Sequence, residues 1–121
     1  MADAALFIGF GAPTRARERQ AVELLDEWVV FCTGLEDRGE IGSFEPVLLD
    51  PHGGDLGGFF LLRGEAEGLD RLRRDDDFRR LSTRAGLVLE RFGVVGAHVG
   101  DALGEQLAIY GSQVEEQLAS S

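Results

Sequence analysis

Lysine is absent from the chain, and all 12 basic residues are arginine. This excludes a phosphate-binding loop of the GxxxxGK[ST] type, whose lysine reaches the β- and γ-phosphates. Cysteine occurs once, at Cys32, so no intramolecular disulfide can form. Cys32 follows Val29-Val30-Phe31 and reads as a small buried apolar residue, because reactive thiols need electropositive, partly exposed surroundings. Histidine is limited to His52 and His98. No apolar run approaches the roughly 18 residues that a membrane span needs. The opening residues MADAALFIGF carry no basic leader, so a soluble cytoplasmic protein is expected. Cations are also outnumbered, 12 against 22 acidic residues, for a net charge of −10. Such a balance opposes polyanionic partners, which bind through cation clusters that displace counterions. Neither nucleic acid nor an anionic membrane surface is expected as a partner. The one dense basic stretch, Arg71 to Arg80, is interrupted by Asp75, Asp76 and Asp77 and reads as a self-compensating helix surface.

What the chain does have is 121 residues, enough for one domain, and 17 glycines, about twice the usual share of roughly 7%. A chain of this length buries roughly two-thirds of its unfolded surface and needs no metal or disulfide staple. Ala4 to Phe10 is a short apolar run closed by glycine and proline, which reads as a strand. A helix of about 20 residues follows after Pro13 and Thr14, with Ala21, Leu24, Leu25, Trp28 and Cys32 at helical spacing and Gly34 as a stop. Phe44 to Leu49 reads as a strand placed at an edge or bulge by Pro46, and Gly57 to Arg63 as its hairpin partner. Leu69, Leu72, Phe78, Leu81, Ala85 and Val88 predict a second helical region in two segments, the later one capped by Asp75 or Asp76. Phe92 to Gly100 reads as a fourth strand. From Asp101 onward, Leu103, Leu107, Tyr110, Val114 and Leu118 recur at steps of four, three, four and four, which predicts an acidic amphipathic helix. No repeat or linker is visible, so residues 1–100 are read as one domain and 101–121 as a helical extension.

Strand, helix, strand, strand, helix, strand is the order of the ferredoxin-like β-α-β-β-α-β fold, an α+β antiparallel sheet with its helices on one face. The second face carries a message of its own. Strand one presents Leu6, Ile8 and Phe10 on one side and Phe7, Gly9 and Gly11 on the other. Strand three, Phe59-Phe60-Leu61-Leu62, is apolar on both sides. Strands apolar on both faces must be covered on both, and a second copy of the sheet is the simplest cover, which predicts a homodimer or higher homo-oligomer.

With its two-sided apolar strands, the element order over residues 4 to 100 resembles the dimeric α/β-barrel superfamily. Its relatives include YciI-like, EthD-like and antibiotic-biosynthesis-monooxygenase-like proteins. The resemblance implies two sheets closing a barrel and a site in the cleft between the open sheet face and the surrounding helices or loops, often without a cofactor. YciI-like proteins carry a His-Asp pair with a histidine near the first strand and helix. Here no histidine precedes His52, and that pair is not carried over.

His98 is the residue best suited to proton transfer, because imidazole is the side chain that exchanges protons most readily near neutral pH. It alternates with Val94, Gly96 and Gly100, and it is expected beside Phe7, Gly9 and Gly11, where glycine leaves room for a ligand. Phe7, Phe44, Phe59 and Phe60 are expected to line the same cleft, with Glu45 and Arg63 reaching that face. The competing expectation for His98 is a hydrogen-bonded residue at a strand end. Asp50, His52 and Asp55 offer metal-ligating atoms, but a six-residue loop rarely converges three ligands. That loop is therefore expected to be a turn with His52 at the rim of the ligand face, with neither metal nor cofactor. Gly9-Phe10-Gly11-Ala12-Pro13-Thr14 looks superficially like a dinucleotide turn, yet it lacks the last glycine, and Pro13 removes one amide donor. The leading expectation is a self-associating protein of unassigned activity, paired through the sheet face, with room for a small hydrophobic ligand. The alternative is a cofactor-independent enzyme of monooxygenase, isomerase or lyase type, acting on a small hydrophobic or aromatic substrate with His98 as general base.

Overall fold

A computed structural model describes residues 4–119. The elements run β1 (Ala4–Phe10), α1 (Glu18–Asp37), β2 (Ser43–Leu48), β3 (Gly58–Gly64), α2 (Ala66–Arg74), α3 (Asp76–Val88), β4 (Gly93–Ala97) and α4 (Asp101–Ala119). The strands form one antiparallel sheet in the order β2-β3-β1-β4, the ferredoxin-like arrangement expected from the element order. Its two outer strands, β2 and β4, leave the sheet open, so the single chain does not close a barrel. Pro46 sits on β2, an edge strand, where a missing N–H is tolerated.

Local chemistry accounts for where the helices begin and end. α1 starts at Glu18 rather than at Thr14 because Pro13 bridges to Leu89 and Ala16 takes a left-handed φ of 68°. The helical region after β3 breaks at Asp75, whose extended backbone ends α2. The same residue caps α3, its carboxylate accepting from the Phe78 N–H at 3.1 Å. Asp75 is therefore the cap that the two-segment reading required.

One face of the sheet is sealed by α1, α2 and α3. Leu6, Ile8 and Phe10 of β1 and Phe60 and Leu62 of β3 meet Leu24, Trp28 and Cys32 of α1, Leu69 and Leu72 of α2 and Phe78 and Leu81 of α3 in a single core. Trp28 is wholly buried at its centre. Its ring lies 5.5 Å from Phe78, 6.0 Å from Phe60, 6.0 Å from Phe92 and 6.4 Å from Phe31, with edge-to-face geometry toward Phe78 and Phe31. Edge-to-face contacts of this kind add to the free energy of area burial. An exposed ion pair between Arg84 of α3 and Glu27 of α1 adds little to this by comparison.

Trp28→Ala is expected to lower unfolding free energy by about 3–5 kcal/mol, since the cavity left among four rings cannot collapse. Its indole N–H is buried with no hydrogen-bond partner among the described residues. Trp28→Phe should therefore cost clearly less, because it removes that unsatisfied donor together with part of the volume. Denaturant unfolding of the two variants measures the difference.

Cys32 is fully buried, as its apolar neighbours predict, and burial pushes its thiol up from 9.0 to about 12. The folded chain keeps a proton that the unfolded chain releases, so the contribution to stability is intact below pH 9 and is lost as pH rises toward 12. Stability should fall in that window by up to roughly 1.4 kcal/mol per pH unit from this group. Cys32→Ala should flatten the alkaline decline in thermal midpoint, and the native thiol should resist alkylation until the chain unfolds.

Candidate functional site

The face of the sheet away from α1, α2 and α3 carries a patch of apolar side chains that are half-buried or exposed. Antiparallel register places Phe7 of β1 between Leu61 of β3 and Val95 of β4, and Val47 of β2 opposite Phe59 of β3. Directly paired residues share a face, so these five side chains form one patch. At its centre the rings of Phe7 and Phe59 stack, 5.0 Å apart and inclined by 30°. Toward one corner the patch turns polar. Arg63 pairs with Glu45 at 3.4 Å, both side chains substantially exposed, and Ser43 lies opposite Arg63. An apolar centre bounded by charge is the anatomy of a protein interface rather than of a solvated sheet surface.

Gly9 belongs to this patch, but it leaves no ligand space. A Cβ at position 9 would stand 2.5 Å from the Phe7 ring. The ring of Phe7 thus lies over the bare backbone of Gly9, which is what buries that residue. Glycine here lets the aromatic lie flat and reach Phe59, as when an aromatic covers a strand glycine.

Two of the expected cleft residues face the other way. Phe44 pairs with Leu62 in register and Phe60 with Ile8, and both pack beneath the helices, their rings 5.7 Å apart. They belong to the core because residue parity within the hairpin sends even-numbered positions of β2 and β3 to the helix side. His98 also departs from its expected neighbours. It lies just past the end of β4 and is exposed, and the register sets Val95, not Val94, opposite Phe7. Gly96 therefore pairs with Leu6 on the helix side while Gly9 pairs with Gly93 on the open side, so no continuous glycine-lined surface runs from Gly9 to His98. Among the described residues His98 has no hydrogen-bond or ion-pair partner, and a general base normally needs one to orient its ring.

His52 occupies the β2–β3 connection, where both ring nitrogens are engaged by nearby backbone. Nδ1 accepts from the Gly54 N–H at 3.2 Å, and Nε2 lies 2.8 Å from the Leu56 carbonyl. An acceptor role for Nδ1 assigns the proton to Nε2, which donates to Leu56. The imidazole thereby ties the loop together, and neither nitrogen is left for a metal. Among the described residues no three His, Cys, Asp or Glu side chains converge as a metal site.

The stretch from Gly11 to Thr14 is likewise engaged. Gly11 N–H donates to Glu90 O at 2.8 Å and Thr14 N–H to Val88 O at 2.7 Å. A Cβ on Gly11 would come within 2.9 Å of the Asp55 and Glu90 carbonyl oxygens. Glycine is required for that close backbone approach, and with the Gly11 and Thr14 amides bonded to backbone and Pro13 lacking one, the stretch has no row of free amides to cradle a phosphate.

One concavity was not visible in the sequence. A cleft of about 670 Å³ opens between the C-terminal end of α1 and α2. Leu35, Ile41 and Leu72 are its buried apolar members. Its charged members are mixed in sign: Arg38 with Glu40 at 2.6 Å, Arg71, Asp75 and Asp77. Composition reads Leu35 to Gly42 as a polar loop after a stop at Gly34, but α1 continues through Gly34 to Asp37 because Leu35 is buried in the core as its last apolar anchor. Only the packing of α2 beside it creates a wall, so no local signal could have located the cleft.

His52→Ala is expected to lower the thermal midpoint by a few degrees through loss of two loop hydrogen bonds, each worth about 1 kcal/mol. His98→Ala is expected to leave it unchanged within about 1 °C, as for other exposed sites lacking partners. Calorimetry of both variants checks the contrast.

No family model matches the chain, and no curated protein does. Among solved structures it is similar to the crystal structure of a dimeric protein of unknown function and ferredoxin-like fold from Bacteroides fragilis. The TM-score is 0.59 at 8% sequence identity, with 79% of this chain and 96% of that chain covered. At so low an identity the likeness is one of fold. The strand order and this neighbour together establish the ferredoxin-like α+β fold.

Proposed function

We propose that this is a small self-associating protein whose domain, residues 1–100, pairs with a second copy through the open face of its sheet. The carrying observation is the patch of Phe7, Phe59, Leu61, Val47 and Val95 on the face that, among the described residues, no helix covers. Burying such side chains removes apolar area at about 25 cal/mol per Å². The Glu45–Arg63 pair forms a charged rim that sets the orientation of the two sheets. A two-fold axis through the patch stacks the sheets face to face, the arrangement that the dimeric α/β-barrel resemblance implies. The Bacteroides fragilis neighbour is itself described as dimeric, which supports the same use of this fold here.

Phe59→Asp places a carboxylate at the centre of the patch and is expected to convert a dimer into a monomer, read as a halved mass by light scattering. An unchanged far-ultraviolet circular dichroism spectrum would show that the domain remains folded. A wild-type chain that is monomeric at every accessible concentration, or a Phe59→Asp variant with the wild-type mass, overturns the proposal.

A further inference from the structure

α4 is a 19-residue helix with no buried residue. Leu103, Leu107, Tyr110 and Val114 on its apolar stripe are 46%, 61%, 68% and 43% exposed, so nothing among the described residues covers this stripe. The stripe has heptad spacing. With Leu107 and Val114 at a, Leu103 and Tyr110 take d, and Leu118 takes the e position of the last heptad. All four acidic residues of α4, Asp101, Glu105, Glu115 and Glu116, then fall at b, c or f, on the side away from the seam. The flanking positions are uncharged, with Gln106 and Gln113 at g and Gly104 and Gly111 at e.

We propose that α4 pairs along this seam with the α4 of a second copy, forming a short two-stranded coiled coil. Charge placement identifies the occupant. Two helices that each carry four acidic and no basic residues repel wherever those carboxylates meet. Here the contact surface and both of its flanks are free of them, so like helices approach without a charge penalty. A basic partner would instead be recognised by carboxylates beside the seam, and none are there. The glycines agree with this. A Cβ at Gly104 or Gly111 would meet nothing within 4 Å, so the isolated chain has no steric need for either. Each costs about 1 kcal/mol of helix stability relative to alanine, and small residues flanking a seam let a second backbone come close.

Fewer than three heptads do not hold a coiled coil in isolation. The pairing therefore rests on the sheet-face association proposed above, which raises the effective concentration of one α4 around the other. Leu107→Glu with Val114→Glu is expected to weaken self-association at least tenfold in sedimentation equilibrium, while Glu105→Lys, at an outer position, leaves it unchanged. A nitroxide at Ser112→Cys, also on the outer side, reports the geometry directly, because Cys32 is buried and unlabelled. With paired helix axes 8–10 Å apart, the inter-label distance should fall below about 35 Å in either orientation. Unchanged affinity in the double variant, or a distance beyond about 40 Å in a dimer, overturns the coiled coil. If Phe59→Asp abolishes the dimer while the double variant leaves affinity unchanged, the sheet reading stands and this one falls. If the double variant weakens association while Phe59→Asp does not, the sheet reading falls, and the α4 pairing stands with its tether at a contact other than the Phe7–Phe59 patch.

Discussion

Everything on the helical side of the molecule is held in place by the contact of one indole with four phenyl rings. Trp28 touches Phe31 on its own helix, Phe60 on β3, Phe78 at the start of α3 and Phe92 at the entry to β4. Remove it and α1 loses its seat on the sheet, α3 loses its first-turn anchor and β4 loses the residue that leads into it. Aromatic rings deliver more area per side chain than any aliphatic residue and have preferred mutual angles. A small domain can therefore be oriented by a few of them. That arrangement uses up one side of the sheet and leaves the other side with no helix to cover it.

Covering that second side is the problem that the rest of the chain is organised around. Phe7, Phe59 and Leu61 are too apolar to serve as a solvated surface, and the stacking of Phe7 over Gly9 onto Phe59 gives the patch a flat, preorganised centre. Flat apolar surfaces with charged rims favour a like surface, because two-fold symmetry makes each patch its own complement. The same reasoning applies to α4. Its seam is uncovered, and its charges are turned outward. In the proposed assembly a second copy covers both surfaces, which the described residues of one chain leave open.

Glycine content reads in the sequence as room left for a ligand, and at Gly9 and Gly11 neighbouring groups fill that room. Gly11 allows two backbone segments to meet, Gly9 accommodates the Phe7 ring, and Gly104 and Gly111 flank an exposed helix seam. Gly11 and Gly9 are thus used for the approach of another group, whereas a Cβ at Gly96, Gly104 or Gly111 would meet nothing within 4 Å. The cleft between α1 and α2 does hold space, and neither histidine is among the residues that line it.

Periodicity and parity were legible from the residues alone. The apolar runs Ala4 to Phe10 and Gly57 to Arg63 identify two strands that are apolar on both sides, the second placed one residue later, at Gly58–Gly64, in the structure. The spacing of Leu24, Trp28 and Cys32 identifies the buried face of α1, and Asp75 announces a helix break. These features were readable because they depend on neighbours a few residues apart. Register was not readable. Whether Val94 or Val95 stands opposite Phe7 depends on how β1 and β4 slide past each other over some 85 intervening positions, and a shift of one residue exchanges the two faces. For that reason His98 was expected near Gly9 and Phe44 in a cleft, and both lie elsewhere. Local sequence determined which elements form and that both faces of the sheet are apolar. The tertiary structure alone decided which side chains share a face, because only long-range strand pairing sets that register.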